Sequence, residues 1–264
     1  MHLRNMKNEE IIGKLNDLSK QCFSLDDFVN ELQELKKKYI KLQQEDAAKQ
    51  IWIYQTIVRI HILYIEAFNL LKNKIYYEGW CKLESVEIEL SFLKRHFQYD
   101  KEIFNLYQIE KNIRNLQVLF PYKLFVSTEI LIKEEKCSIC NKIVSIRKPC
   151  GHIIGEIYGG EMCERIVTKC ELIGTSIVTN PENKNAVLSI TDDENENTNT
   201  NKYYTIDYLF KFISNPYEKW DLKLYRVKDT TLKIEDSSLN KINGLINDNK
   251  ISKLHYEFVF YKKE

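Results

Sequence analysis

Apolar side chains recur every three or four residues through the first half of the chain, which is the spacing of amphipathic helices. A short helix is predicted from Glu9 to Lys20. Ser24 precedes two aspartates and marks the start of a second helix, because its hydroxyl can accept a hydrogen bond from a free backbone amide. The lysines at 36–38 are assigned to the solvated face of that helix, with contact to an acidic partner as the alternative.

The stretch at 51–71 is almost continuously apolar and nearly long enough to cross a bilayer. Arg59, His61 and Glu66 lie within it, and charged groups near the middle of a membrane span are costly. We therefore predict a helix that is buried on most sides among other helices. His61 is predicted to be a hydrogen-bonded core histidine.

Two further helices are predicted before residue 122. One resumes at 80–97 after a break at Gly79, and another runs over 101–119 and ends before Pro121. Glu84 and Glu87 are assigned to solvent, because the sequence has no Glu-x-x-His motif of the kind that di-iron bundles use.

The pattern changes after residue 120, where apolar and polar residues alternate as they do in half-buried strands. Short strands are predicted within 120–135 and at 222–227, 231–235 and 255–261. Residues 191–202 are polar and low in complexity, which predicts a flexible polar loop.

Charge and cysteine usage narrow the class of protein. The 264 residues include 39 Lys and Arg against 38 Asp and Glu, so no global field directs the chain to nucleic acid or to a membrane surface. The N-terminal residues contain no apolar run of signal-peptide length. Four of the seven cysteines cluster, which in the absence of an export signal favours reduced thiols around a metal over disulfides. We expect a cytoplasmic protein without a membrane partner.

The cluster occupies residues 137–163, which read CSICNKIVSIRKPCGHIIGEIYGGEMC. Cys137 and Cys140 form a Cys-x-x-Cys pair, whose two thiolates can reach one ion from a tight turn. Cys150 and His152 follow after nine residues, and Cys163 closes the segment. Five soft or borderline ligands in 27 residues predict a bound zinc ion, because such groups are costly to bury unless a metal organises them.

A tetrahedral zinc site takes four ligands, so one of the five groups stays off the metal. The first predicted set is Cys137, Cys140, His152 and Cys163. In the alternative sets, Cys150 replaces either His152 or Cys163. Zinc is favoured over an iron–sulfur cluster because a histidine shares the set and no cluster-type cysteine run is present.

The predicted zinc is structural rather than catalytic. A catalytic site needs three protein ligands, a water and a base. Glu156 and Glu161 are the nearby candidate bases, but the sequence has neither HExxH nor the signature of zinc deaminases. We therefore expect no catalytic residues and no enzymatic activity, with a zinc-dependent hydrolase as the weaker alternative.

Together these patterns predict an α+β protein with four parts. They are an N-terminal antiparallel helical bundle at 1–122, a zinc-binding ribbon or knuckle at 123–190, the flexible loop at 191–202 and a small, strand-rich α+β C-terminal part at 203–264.

A resemblance appears over residues 137–190. The order CSIC, then Cys-Gly-His, then a glycine-rich return to cysteine resembles the zinc-binding segment of tailed-phage head-maturation and prohead-protease-like proteins. The strand that follows the motif in those proteins matches this chain at Glu171, Leu172, Ser176, Val178, Pro181 and Asn183. The resemblance implies a zinc site and a phage or mobile-element origin. It does not imply proteolysis, because the upstream region is predicted to be helical and Ser176 is predicted to be a strand residue.

The sequence therefore predicts a non-enzymatic zinc-binding adaptor or interaction protein, phage- or defence-related, with a protein partner. A nucleic-acid-binding zinc protein is the alternative. It would meet phosphate through Arg147 and Lys148, on the loop between the second and third cysteines.

Overall fold

The structure is a computed structural model that describes residues 8–20, 22–100, 103–188, 202–226 and 254–260. Within these ranges the chain combines helices and strands, so the predicted α+β class is confirmed. The helices are α1 (Asn8–Asn16), α2 (Leu25–Lys41), α3 (Glu45–Lys72), α4 (Tyr76–Lys94), α5 (Leu106–Leu119) and α6 (Tyr204–Leu209). The strands are β1 (Phe125–Cys137), β2 (Ile143–Val144), β3 (Ile157–Tyr158), β4 (Glu161–Met162), β5 (Arg165–Val178), β6 (Trp220–Arg226) and β7 (Leu254–Phe260).

Helix α2 begins where the sequence predicts. The Ser24 Oγ accepts a hydrogen bond from the Asp27 N–H at 3.2 Å, which confirms the cap. Phe28 and Leu32 are fully buried on one face of the helix. Lys36 continues that face and is only 4% exposed, so the prediction of a solvated Lys36 is wrong.

Helix α3 is buried on most sides, as predicted, and α4 packs against it in the antiparallel direction. Arg59 pairs with Glu89 at 3.3 Å, and Glu66 pairs with Lys82 at 2.7 Å. None of the helices in the described ranges combines the length and the apolar character needed to cross a membrane.

The break between α3 and α4 lies at residues 73–75, where Lys74 has a φ of 63°. The prediction of a break at Gly79 is wrong, because Gly79 lies inside α4. A Cβ added to Gly79 would lie 2.4 Å from the Leu71 Cδ2. The missing side chain therefore lets the two helices approach closely.

His61 is a buried core histidine with both ring nitrogens hydrogen-bonded, as predicted. Its Nδ1 lies 2.7 Å from the Tyr217 hydroxyl and its Nε2 lies 2.9 Å from the Phe104 carbonyl oxygen. Burial disfavours the charged ring and lowers the pKa of His61 to about 4, so the ring is neutral at neutral pH.

The sequence assigns two acids of α4 to solvent, which is wrong for Glu84, whereas the Glu87 side chain is 43% exposed. Glu84 is buried, and the Lys184 Nζ lies 3.6 Å from one of its oxygens. Glu87 pairs with the same ammonium and accepts a hydrogen bond from Gln117 at 2.9 Å. The Trp80 Nε1–H also donates to the Lys184 carbonyl oxygen at 2.7 Å. Contacts from α4 therefore hold the segment that follows β5 against the helices.

Strands β1 and β5 form a long antiparallel ribbon. The register runs from Phe125 opposite Val178 to Cys137 opposite Arg165. At the usual rise per residue, the thirteen residues of β1 span about 40 Å. The strand predicted within 120–135 is therefore present but longer than expected, because β5 pairs with it over its whole length.

The ribbon is attached to the helices at both ends. At one end Phe125 stacks on Trp80, with ring centroids 6.3 Å apart. At the other end the chain enters residues 137–163, named here the metal module, whose Ile157 and Met162 pack against the helical core. The middle of the ribbon is exposed on both faces.

The C-terminal elements contribute to the same core as the helices. Ile206, Leu209 and Ile213 are buried against them, as is Trp220 at the start of β6. Strand β6 pairs with β7 in the antiparallel direction, which agrees with the predicted strands at 222–227 and 255–261. The predicted strand at 231–235 and residues 191–201 of the predicted polar loop lie outside the described residues. The boundaries predicted between the four parts stay predictions.

Candidate metal centre

The first two thiols lie at a tight turn between β1 and β2. The Cys137 N–H donates to the Lys142 carbonyl oxygen at 3.0 Å, and the Asn141 N–H donates to the Cys137 carbonyl oxygen at 2.9 Å. Asn141 closes the turn in the left-handed conformation, with a φ of 57°. The turn brings Cys140 back beside Cys137, as the Cys-x-x-Cys spacing predicts.

The loop between β2 and β3 supplies two more ligands. Gly151 separates Cys150 from His152 and has a φ of 87°, a conformation that residues with side chains rarely adopt. The bend lets both groups face the turn. The His152 Nδ1 lies 3.7 Å from the Cys137 Sγ, and the ring meets Tyr158 edge-on, with centroids 4.7 Å apart.

Four of the five predicted groups converge. The ligand atoms of Cys137, Cys140, Cys150 and His152 all lie within 4.8 Å of one another. Two ligands of one tetrahedral zinc ion are separated by about 3.5–4 Å, given Zn–S and Zn–N bonds of about 2.3 and 2.1 Å. The cluster therefore has the donor types and the compactness to hold a metal ion.

Cys163 lies beside this cluster rather than within it. Its Sγ is 3.8 Å from the Cys137 Sγ, but it does not belong to the group of four. The Arg165 Nη1 lies 3.6 Å from the Cys163 Sγ, and the Arg165 Nη2 donates to the His152 carbonyl oxygen at 3.2 Å. Arg165 thus faces a thiol and the backbone of a candidate ligand together.

The electrostatics favour a thiolate at Cys137. Burial opposes ionisation, but the backbone N–H groups of Cys140 and Ile139 outweigh it and lower the pKa of Cys137 to about 6. At Cys163, burial and the neighbouring Cys137 raise the pKa of the thiol. The Lys142 N–H lowers the pKa of Cys140, but burial and the neighbouring thiols Cys137 and Cys150 outweigh it and raise that pKa. Because Cys140 belongs to the converging group, a raised pKa does not set Cys163 apart from the other thiols.

The two candidate bases lie away from the four converging groups. Glu161 forms an ion pair with Lys36 at 2.7 Å, which directs its carboxylate toward α2. Glu156 is exposed, and its backbone carbonyl oxygen accepts a hydrogen bond from the Cys163 N–H at 2.7 Å. Neither carboxylate belongs to the converging group of potential ligands among the described residues.

The remaining candidates from the sequence lie outside the centre. Arg147 and Lys148 are exposed on the turn after β2, where Lys148 pairs with Ser145. Ser176 is exposed on β5 opposite Ser127, as predicted for a strand residue.

Sequence reasoning missed the contacts that join the metal module to the helices. The Lys36 Nζ donates to the Gly160 carbonyl oxygen at 3.1 Å, and the Gly159 N–H donates to Glu45 at 2.8 Å. A ring nitrogen of His96 lies 2.7 Å from the Gly155 carbonyl oxygen. One signal was present: Lys36 continues the four-residue spacing of the buried residues Phe28 and Leu32.

Comparison with known proteins gave no match for this chain among protein-family models, curated proteins or solved structures.

Proposed function

We propose that the protein is a non-enzymatic, zinc-stabilised adaptor, in which Cys137, Cys140, Cys150 and His152 bind one structural zinc ion. The observation that carries the proposal is the convergence of these four ligand atoms within 4.8 Å. Three thiolates and an imidazole are a frequent ligand set of structural zinc sites.

The donor set favours a structural role over catalysis. Four protein ligands fill a tetrahedral shell and leave no position for a reactive water. Glu161 is engaged by Lys36 rather than poised as a base. Cys163 also lies near Cys137, but it stays off the metal in this assignment, because four ligands complete the tetrahedral shell.

Zinc binding would fix the geometry of a chain segment that has little core of its own. Among the described residues, the apolar cluster within the metal module has only Cys137, Val144 and Cys163 as buried members. The ion would tie the turn after β1 to the loop before β3, and so hold the β3–β4 hairpin against the helices. In this view the N-terminal helices are a bundle that serves as scaffold, and residues 123–190 form a zinc ribbon.

An adaptor needs a surface to present, and the β1–β5 ribbon offers one. It is attached at both ends and exposed along its middle. The resemblance of residues 137–190 to phage head-maturation proteins suggests a phage-related setting, and reduced thiols suit the cytoplasm.

The test is to measure the zinc content of the purified native protein by elemental mass spectrometry. We expect about one zinc per chain, lost in a Cys140→Ser variant and kept in a Cys22→Ser control, because Cys22 is an exposed thiol outside the metal module. Chelation should lower the thermal midpoint of the native protein and leave the Cys140→Ser variant unaffected. Absence of zinc from the native protein would overturn the proposal.

Nucleic-acid binding is the second candidate function, and the exposure of Arg147 and Lys148 near the centre favours it. Two phosphate contacts to a single strand would give a shallow salt dependence, with a slope of about −1.4 in log K against log salt. Titration of a fluorescent single-stranded oligonucleotide would detect it, and an Arg147→Ala/Lys148→Ala variant should abolish the binding. Binding that this variant retains would contradict this second candidate.

A further inference from the structure

Strand β5 leaves one edge of the ribbon open. The outer edge of β1 is partly covered, by β2 at Glu135 and Lys136 and by Val187 opposite Phe125. Among the described strands, none pairs with the outer edge of β5 along its fourteen residues. An open edge presents unpaired backbone N–H and C=O groups to another strand.

The exposed side chains of the ribbon are unusually apolar. Seven of them are between 44 and 66% exposed: Ile130, Leu131, Ile132, Ile166, Leu172, Ile173 and Ile177. Between Cys170 and Val178, Glu171 is the one charged residue, and there is no proline. Open edges that stay unpaired usually carry several charges, a proline or a β-bulge. This stretch has one charge and no proline, and its pairing with β1 is irregular at Ile173.

The charges that border this stretch are arranged for self-pairing. Lys169 and Glu171 flank Cys170 on β5. If two copies pair in the antiparallel direction about a twofold axis at Cys170, each Lys169 lies opposite the Glu171 of the other copy. Two residues directly opposite each other in antiparallel strands have their side chains on the same face of the sheet, and residues on one face of a strand are an even number of positions apart. The twofold axis that relates the two β5 strands therefore passes between two copies of the same residue.

The neighbouring registers are less favourable. An axis at residue 169 places two lysines opposite each other, and an axis at residue 171 does the same with two glutamates. An axis at residue 168 would pair Glu171 with Arg165, but Arg165 already faces Cys163 and the His152 carbonyl oxygen. The register at Cys170 therefore has the best charge complementarity.

The existing ion pairs of the ribbon extend this arrangement. Lys169 pairs with Glu134 on β1 at 3.1 Å, and Glu171 pairs with Lys133 at 3.0 Å. Across two copies the charges would alternate in sign from β1 through both β5 strands to the second β1. No residue of β5 is skipped in its pairing with β1 from Lys169 to Leu172, although Lys133 of β1 is skipped opposite the step from Cys170 to Lys169.

We propose that the outer edge of β5 binds β5 of a second copy of this chain, in the antiparallel register centred on Cys170. The two ribbons then form one continuous four-stranded sheet with an isologous twofold interface. This inference goes beyond the zinc-stabilised adaptor and does not depend on the metal.

The test is a charge exchange in the full-length, zinc-replete protein, read by sedimentation equilibrium over a micromolar concentration series. The native chain is expected to dimerise. Lys169→Glu and Glu171→Lys each create two like-charged contacts and should weaken the dimer on the order of tenfold. The Lys169→Glu/Glu171→Lys double variant should dimerise more tightly than either single variant, because the charges across the interface again have opposite signs. Its new like-charged contacts, with Glu134 and Lys133, lie within each ribbon and not across the interface.

Two controls separate the interface from general effects. Lys20→Glu breaks the exposed Lys20–Asp17 pair with the same change in net charge, and it should leave the dimer intact. Zinc content should stay unchanged in every variant, so a failure of the metal site is distinguishable from a failure of the interface. A short bismaleimide should cross-link two copies through Cys170, and Cys170→Ser should prevent this.

Two outcomes would overturn the proposal. One is a native chain that stays monomeric throughout the series. The other is a dimer whose affinity does not respond to either single charge reversal, which would place the contact elsewhere.

Discussion

The Lys36 Nζ lies 2.7 Å from the Glu161 Oε1 although 125 residues separate the two positions in the chain. The lysine side chain is 5% exposed, whereas the glutamate side chain is 64% exposed. The same ammonium donates to the Gly160 carbonyl oxygen, and a Cβ on Gly160 would lie 2.7 Å from the Lys36 Cδ. One buried lysine on α2 therefore holds the β3–β4 hairpin of the metal module against the helices.

We predict that Lys36→Met loosens the metal module without removing its ligands. The substitution leaves the Gly160 carbonyl oxygen without its donor, and the free energy of unfolding should fall by about 1–3 kcal/mol. Hydrogen exchange at the Cys163 N–H, which is bonded to the Glu156 carbonyl oxygen, should accelerate. Lys37→Met is the matched control, because Lys37 is exposed and pairs with Glu34. Equal effects of the two substitutions would contradict the role assigned to Lys36.

The fourth zinc ligand can be identified by comparing two serine variants. Cys150→Ser should lower zinc content well below one per chain, because Cys150 belongs to the converging group. Cys163→Ser should retain zinc, since the Cys163 thiol lies outside that group and faces Arg165. Cobalt substitution checks the assignment, because loss of one thiolate ligand weakens the sulfur-to-metal absorption. Loss of zinc in Cys163→Ser together with its retention in Cys150→Ser would instead support the ligand set that contains Cys163.

His61 should make the fold sensitive to acid. Its folded-state pKa is about 4, below the unfolded value of 6.5, so between these values the unfolded chain binds a proton that the folded chain does not. The stabilisation is present above pH 6.5 and is lost as pH falls toward 4. The difference amounts to about 3 kcal/mol over that window.

The measurement is urea unfolding of the native chain and of His61→Gln at pH 7, 6, 5 and 4.5. The native chain should lose stability more steeply on acidification than the variant, because carboxylates contribute equally to both. Parallel pH profiles would show that His61 is not the titrating group. The variant is expected to be less stable at pH 7, since it perturbs the contacts with Tyr217 and Phe104.

Gly79 and Gly13 should respond oppositely to alanine. Gly79→Ala places a Cβ 2.4 Å from the Leu71 Cδ2, and the overpacking should cost about 1–3 kcal/mol. Gly13→Ala meets no atom within 4 Å inside α1, and the better helix propensity should stabilise by up to about 1 kcal/mol. Thermal unfolding of both variants measures the contrast. A stabilising Gly79→Ala would show that α3 and α4 do not approach closely there.

Much of the local structure was determined by the sequence alone. The spacing of apolar residues identified the main helices, Ser24 marked the start of α2, and the apolar surroundings of His61 predicted a buried ring. The cysteine and histidine spacing predicted the metal centre, and four of its five groups converge. These features depend on residues within a few turns or one short loop, where periodicity and ligand spacing act directly.

The tertiary structure decided which side chains are covered by distant parts of the chain. The sequence predicts that Glu84 faces solvent, but Glu84 is buried beside Lys184 in the folded chain. It also predicts a solvated Lys36, but Lys36 is buried and pairs with Glu161. The length of β1 likewise depends on β5, which pairs with it strand to strand. The sequence around a charged residue on a helix face does not reveal which distant residue will bury it. Contacts of this kind follow from how the whole chain packs, because burial of a charge is stable only where a distant group of opposite charge or a carbonyl oxygen meets it.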